Sequence, residues 1–220
     1  MKNMFMITTV TMITRNMNNY LSSINKTSDS DIIKEILNQA NELKTPIISQ
    51  DGINLLIQLI KVSKTKKVLE IGSAIGYSAI MMALNTCCFV TSIEKDEENY
   101  LRAKENVKMA KLESKIELIL GDALEVDLTG NYDLIFIDAA KAQYLKFLER
   151  FKNNLNPRGI VVCDNLLFHG LVENPEMTES KRIKSLVRKI SDFNQNLLNH
   201  PEFETYIYEI GDGLSISIKK

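Results

Sequence analysis

Five short apolar runs, each a strand's length, leave this chain few folds to choose from: VLEI at 68–71, CFVTSIE at 88–94, KIELIL at 115–120, YDLIFID at 132–138 and GIVVCD at 159–164. Helical patterns lie between them at Tyr77–Leu84, Asp96–Ala110 and roughly Ala140–Leu155, and a longer amphipathic one follows from about Thr178 to Leu198. Alternation of that kind specifies crossover units on a parallel sheet. The C-terminus departs from it, because Phe203–Ile210 and Leu214–Ile218 are joined only by Gly211-Asp212-Gly213, too short for a crossover. Those two strands are expected to form an antiparallel hairpin. The expected architecture is α/β, with five parallel strands, a C-terminal antiparallel hairpin and helices on both faces.

Two helices precede the sheet. From Asp29 to Lys44 the positions Ile32, Ile33, Ile36, Leu37 and Leu43 make a helical stripe, with Ser28, Asp29 or Ser30 available as N-cap, and Pro46 stops it. A second helix from Asp51 to about Val62 carries Ile53, Leu56, Leu59 and Ile60 on one side. These helices can cover a site or form a dimer face. A chain of 220 residues is expected to be one domain over 17–220, with N-terminal helices at 17–66 and the core at 67–220. Residues 1–16, MKNMFMITTVTMITRN, lack a long apolar stretch and a small-residue cleavage site, and read as an upstream extension or a cloning remnant.

With 27 basic and 28 acidic residues, no global charge announces a nucleic-acid partner, although positive potential can still gather on one face. Cys87, Cys88 and Cys163 show no C-x-x-C spacing and read as reduced, small core residues; Cys87-Cys88 is expected as the buried start of a strand rather than a redox pair. No apolar run approaches the ~20 residues of a membrane helix, so a cytoplasmic protein with no membrane partner is expected.

Chemistry gathers at the strand ends. Val68–Ser78, VLEIGSAIGYS, is a buried strand running into a glycine-punctuated turn and then a helix, where ligands of open α/β sheets bind. Ala74 spoils the G-x-G-x-x-G spacing of a dinucleotide site. The spacing E-x-G-x-x-x-G instead resembles a methyltransferase cofactor loop, with Glu70 facing the methionine amino group of S-adenosylmethionine. Glu94 ends the second strand, where a carboxylate can accept both ribose hydroxyls, and Asp122-Ala123 would flank the adenine. A second group comprises Asp138, at the end of strand four, and Asp164-Asn165, at the end of strand five. Neighbouring parallel strands set these oxygen donors side by side, a set that suits Mg²⁺ (or Mn²⁺). Lys141 follows three residues after Asp138, and a lysine beside a dication is driven toward its neutral form and can serve as general base.

On the stretches VLEIGSAIGYS, SIEKDEENYLRAKENV, FIDAAKAQY and GIVVCDNLLFHGLV, residues from about 30 to 220 resemble the cation-dependent O-methyltransferases. That family includes the caffeoyl-CoA and catechol enzymes and has a Rossmann-like class I methyltransferase fold. The last two stretches are most similar to the bacterial branch that methylates 5-hydroxyuridine at the tRNA wobble position. The resemblance implies Asp138, Asp164 and Asn165 as metal ligands and Lys141, with Asp138, as the catalytic pair. It places Ile48, Glu70, Gly72, Ser78, Glu94, Ala123 and again Asp138 around the cofactor. The catechol branch carries a Trp beside its site, and this chain has none; plant caffeoyl-CoA enzymes carry an acid where this chain has Ala140.

The expected acceptor is therefore the tRNA anticodon loop, and the alternative is a small hydroxylated aromatic such as a catechol or phenylpropanoid. A nucleotide- or RNA-binding module without catalysis is the rival outside enzymology, and it needs neither the metal set nor Lys141. Basic clusters at Lys61, Lys64, Lys66 and Lys67, and at Lys181, Arg182, Lys184, Arg188 and Lys189, favour tRNA modestly. His169 can touch a phosphate or a base. A homodimer is expected.

Overall fold

The computed structural model describes residues 24–25 and 30–220; the 1–16 segment, residues 17–23 and the candidate caps Ser28 and Asp29 lie outside them. Helix α1 runs over Asp31–Leu43 and includes the expected apolar stripe. Ser30 is the cap, its hydroxyl accepting the Ile33 N–H at 3.4 Å. Ile33, Ile36 and Ala40 form the buried stripe. Beyond Pro46, Ser49 caps α2 (Gln50–Val62) by accepting the Gly52 N–H at 3.1 Å.

Strands β1 (Lys67–Ile71), β2 (Phe89–Glu94), β3 (Ile116–Leu120), β4 (Tyr132–Ile137) and β5 (Leu155–Cys163) alternate with α3 (Tyr77–Asn85), α4 (Glu97–Met109) and α5 (Tyr144–Phe151). Helix α6 (Lys181–Leu198) leads into the hairpin β6 (Phe203–Tyr208) and β7 (Leu214–Lys219). The seven strands run in the order β3-β2-β1-β4-β5-β7-β6. β1 to β5 pair in parallel, and β7 is antiparallel to both β5 and β6. The Rossmann-like sheet expected from the sequence is thus the one observed.

Strand pleating sends alternate side chains to opposite faces. Val68, Val90, Leu134, Phe136, Ile160 and Val162 pack with α1, α2 and α3, while Leu69, Ile71, Ile93, Ile135, Ile137 and Val161 pack with α5 and α6. Phe136 is fully buried in the first layer. Its truncation to Ala is worth about 3–5 kcal/mol of stability.

Several boundaries differ from the sequence reading. The helix expected over Ala140–Leu155 is broken into a 3-10 turn at Lys141–Gln143, α5, and a second 3-10 turn at Lys152–Asn154. β5 begins at Leu155 and not Gly159, because Leu155 pairs with Tyr132 before the register shifts. Pro157, which has no N–H to give a ladder, falls within that irregular stretch. Ser180 caps α6, so the helix starts at Lys181 and not Thr178. Cys87 is exposed, contrary to the expected buried pair; Cys88 is buried and Phe89 exposed, as pleating requires once Cys88 faces inward.

The carboxyl ends of the parallel strands are level. Gly72 N–H donates to the Ile93 carbonyl at 2.9 Å, Gly121 N–H to Glu94 at 2.8 Å, Asp138 N–H to Ile71 at 3.0 Å and Asp164 N–H to Ile137 at 3.2 Å. Strand order reverses between β1 and β4, where ligand crevices open in such sheets. Among the described residues, no helix is long and apolar enough to cross a membrane.

Candidate active site

The β1 side of the crevice is a backbone cradle. Gly72 has φ 96°, and a Cβ there would stand 2.3 Å from the Asp138 carbonyl oxygen, so only glycine lets β1 and β4 converge. Asn106 steadies the following turn by donating from Nδ2 to the Ile75 carbonyl at 2.9 Å. Glu94 folds back over the turn: Oε2 accepts the Ala74 N–H at 2.8 Å, and Oε1 accepts the N–H groups of Lys95 and Asp96, both at 2.9 Å. Asp122 accepts Lys95 Nζ at 2.6 Å and the Leu124 N–H at 2.9 Å, beside the buried Ala123.

Glu70 is the exception on this side. It is fully buried, Oε2 accepts the Ser92 hydroxyl, and Oε1 has no partner. Burial pushes its carboxyl up to about 7, against the opposing pull of the nearby Ser78 and Ser92 hydroxyls. A buried carboxylate oxygen without a donor suits a ligand ammonium, so the residues present fit an amino-acid-bearing cofactor. Ser78 lines the crevice, whereas Glu70 itself lies behind it.

The β4–β5 side is built differently. Ile137 pairs with Cys163, so Asp138 and Asp164 emerge together one step beyond the paired strands. Burial raises the Asp138 carboxyl, with Lys141 opposing; burial and then the Asp138 charge lift Asp164 to about 7. Asn165, in the left-handed region at φ 60°, donates its N–H to Asp164 Oδ1 at 2.7 Å. The buried Asp164 and half-buried Asp138 carboxylates, with the Asn165 amide next in the chain, are a hard-oxygen donor set that fits a dication. Among the described residues, no three His, Cys, Asp or Glu side chains converge as a metal cluster, and this set has only two.

Buried side chains fix the segment that carries these donors. Tyr144 O–H donates to the Asp164 carbonyl at 3.0 Å, and Asn194 Nδ2 donates to the Leu166 carbonyl at 2.9 Å. The hairpin turn grips it from the other side: Leu166 N–H donates to the Gly213 carbonyl at 2.9 Å and Leu167 N–H to Asp212 at 2.8 Å. Asp212 was missed as a site residue. A Gly-Asp-Gly turn is fully explained by hairpin geometry, and only the fold shows its carboxylate facing the loop that follows Asp164.

One cavity of about 730 Å³ joins both sides. Ile48, Gly72, Ser78, Glu94, Ala123, Asp138, Lys141, Asp164, Asn165 and His169 all line it, joined by the unanticipated Asp212, Gln143, Phe168 and Tyr77. The two basic clusters part company. Lys61, Lys64, Lys66 and Lys67 lie at the amino end of β1, about 16 Å of strand away from the rim. Helix α6 reaches the rim through Asn194 and packs on the Lys141–Gln143 turn, before its C-terminus leads to β6 at the far end. Its first half, with the exposed Lys181, Arg182, Lys184, Arg188 and Lys189, therefore lies at the site's end of the sheet.

Comparison with known proteins agrees with this geometry. A family model described as O-methyltransferase matches residues 22–220. Tapetum-specific methyltransferase 1 of Arabidopsis thaliana is 30% identical over 201 residues, 86% of each chain. Caffeoyl-CoA O-methyltransferase of Stellaria longipes is 31% identical over 171 residues, 73% of this chain and 71% of the relative. A crystal structure from Staphylococcus aureus, provisionally assigned as a caffeoyl-CoA O-methyltransferase, superposes with a TM-score of 0.85 at 34% identity, covering 95% of this chain and 100% of that one. The O-methyltransferase from Bacillus cereus in complex with SAH shares the fold at a TM-score of 0.79 and 23% identity, over 93% of this chain and 97% of that one.

Proposed function

Because the chain belongs to the O-methyltransferase family and is an S-adenosylmethionine-dependent enzyme of the caffeoyl-CoA type, we propose that it methylates the 5-hydroxyl of wobble 5-hydroxyuridine in tRNA, giving 5-methoxyuridine. Asp138, Asp164 and Asn165 would hold a divalent cation, Mg²⁺ or Mn²⁺. The observation that carries the metal-dependent reading is the pair of carboxylates at neighbouring strand ends, Asp164 buried and Asp138 half-buried, with Lys141 opposing both, in the same cavity as the cofactor cradle. Bound there, a dication polarises an acceptor hydroxyl and lowers its pKa.

The chain's own residues supply the rest. Glu94 and the Gly72 turn bind the nucleoside half of the cofactor, and the ionised Glu70, buried behind Ser78 at the cradle wall, draws its ammonium group to that side. Lys141 accepts the hydroxyl proton as the methyl passes from the sulfonium to the acceptor oxygen, leaving S-adenosylhomocysteine. Holding the two reacting atoms at near-attack distance is worth about 7–11 kcal/mol of the barrier.

The tRNA reading draws on the resemblance of the FIDAAKAQY and GIVVCDNLLFHGLV stretches and on the basic half of α6 at the rim. A base splayed from a single-stranded loop can enter such a rim, and the 5-oxygen and 4-carbonyl of hydroxyuridine form a catechol-like pair. The second reading, a small catechol or phenylpropanoid acceptor, is favoured by relatives named for caffeoyl-CoA. Labelled cofactor offered with hydroxyuridine-containing tRNA and a simple catechol at matched concentrations separates the two. Labelled tRNA, with a rate that falls steeply with salt, is expected. Labelling of the catechol alone overturns the tRNA reading and keeps the O-methyltransferase.

A further inference from the structure

The loop beyond the proposed metal donors holds a pair that the reaction above does not use. Phe168 and His169 both sit in the left-handed region, at φ 46° and 58°, following Asn165 at 60°. Non-glycine residues seldom adopt that conformation, and several in one loop persist only where their surroundings enforce it. Here the enforcing group is Asp212, whose Oδ1 accepts the His169 N–H at 2.5 Å while its backbone carbonyl accepts Leu167 N–H.

The hairpin turn cannot back away from this contact. A Cβ on Gly211 would meet Ser49 Oγ at 2.3 Å, and one on Gly213 would meet Leu167 Cγ at 2.5 Å, so the turn is wedged between the two walls of the cavity. Asp212 Oδ2 is buried with no hydrogen-bond partner, and His169 Nδ1 stands 3.6 Å from it. His169 is 78% exposed at the cavity wall, which leaves its other ring nitrogen open to the cavity mouth.

We propose that His169 contacts the methyl acceptor through Nε2 and that Asp212 is the positioning residue that aims it. A carboxylate facing Nδ1 keeps the proton on Nδ1, so Nε2 of the neutral ring is a lone-pair acceptor. The complementary group on the acceptor is protic: a ring N–H or a second hydroxyl beside the one that is methylated. This rests on the reading of the cavity as the acceptor site and holds for either acceptor class named above.

Histidine-selective long-range ¹H–¹⁵N NMR tests it without turnover. The chain has 2 histidines, so His169→Ala assigns the signals and His200 serves as the internal control. About two pH units above the ordinary imidazole pKa, the Nδ1–H tautomer is expected for His169. Asp212→Asn should shift it to Nε2–H, because the amide oxygen can still accept the His169 N–H while the NH₂ faces Nδ1. With S-adenosylhomocysteine and Mg²⁺ present, catechol or 5-hydroxyuridine should move the His169 Nε2 resonance and leave His200 unmoved. In transfer assays His169→Ala and Asp212→Asn should each raise the acceptor KM about tenfold with kcat within about twofold, and the double variant should add nothing. A native Nε2–H tautomer overturns the role of Asp212, and a Nε2 resonance that ignores both compounds overturns the acceptor contact. Neither readout depends on which acceptor the transfer assay labels, so a failed tRNA reading remains distinguishable.

Discussion

On the β1–β2–β3 side of the cavity the rim carboxylates arrive already satisfied, whereas on the β4–β5 side they do not. Glu94 accepts three backbone N–H groups, and the Lys95 ammonium with the Leu124 N–H holds the Asp122 carboxyl below its ordinary range. Asp164, buried, and Asp138, half-buried, instead stand beside each other, both raised by desolvation; Lys141 opposes the rise at Asp138, and the Asn165 N–H and then Lys141 oppose it at Asp164. Asp212 adds a partnerless buried oxygen close by. The first side is a cradle folded for a nucleoside, and the second is a charge imbalance shaped for a cation. Glu70 marks the boundary, a carboxylate on the cradle side that also waits for positive charge.

If that contrast is real, deleting a carboxylate must hurt the two sides differently. Asp164→Ala is expected to lower turnover by about 10³-fold or more while S-adenosylhomocysteine affinity stays within about threefold. Comparable losses in both quantities, read from initial rates and calorimetry, would erase the distinction. Gly72→Ala attacks the seam between the sides, since its Cβ meets the Asp138 carbonyl and its φ lies in the glycine region. A stability loss of about 3 kcal/mol in urea unfolding is expected, with cofactor binding and turnover falling together. An alanine variant of native stability would show that the seam is loose.

The smallest effect sharpens the role of Glu70. Its folded pKa of about 7 lies above the unfolded value, so the folded cofactor-free protein holds the proton more tightly. The sign follows: the Glu70 contribution to stability is greatest below about 4.5, falls as pH rises toward about 7, and levels off above, a loss of at most about 3 kcal/mol. A ligand ammonium favours the ionised carboxylate, so cofactor affinity should rise with pH across the same window. Glu70→Gln should stabilise the cofactor-free protein at pH 8, reduce the stability slope to the part that Asp164 contributes over the same window, and flatten the affinity slope. An undiminished pH slope in that variant would move the titration elsewhere.

Much of this was legible in the sequence because strand ends are legible. Once YDLIFID and GIVVCD are read as neighbouring parallel strands, Asp138 and Asp164 must emerge side by side, and VLEIGSAIGYS places Gly72 at the switch point in the same way. What escaped is what depends on distant packing. Asp212 reaches the loop after Asp164 only because β7 inserts between β5 and β6, which no local pattern states. Lys66 and Lys67 adjoin β1 in sequence yet lie at its amino end, away from the rim. The helix expected from Ala140 breaks because the chain first makes a tight turn at Lys141–Gln143, which brings Lys141 to the cavity wall.

The central claim, a cation between Asp138, Asp164 and Asn165, is tested most directly by titrating Mn²⁺ into the S-adenosylhomocysteine-loaded protein and following free Mn²⁺ by electron paramagnetic resonance. One saturable site per chain, displaced by Mg²⁺ and lost in Asp164→Ala with the second ligand still bound, is the predicted result. Binding that survives Asp164→Ala unchanged, or no saturable binding to the native protein, would contradict the account.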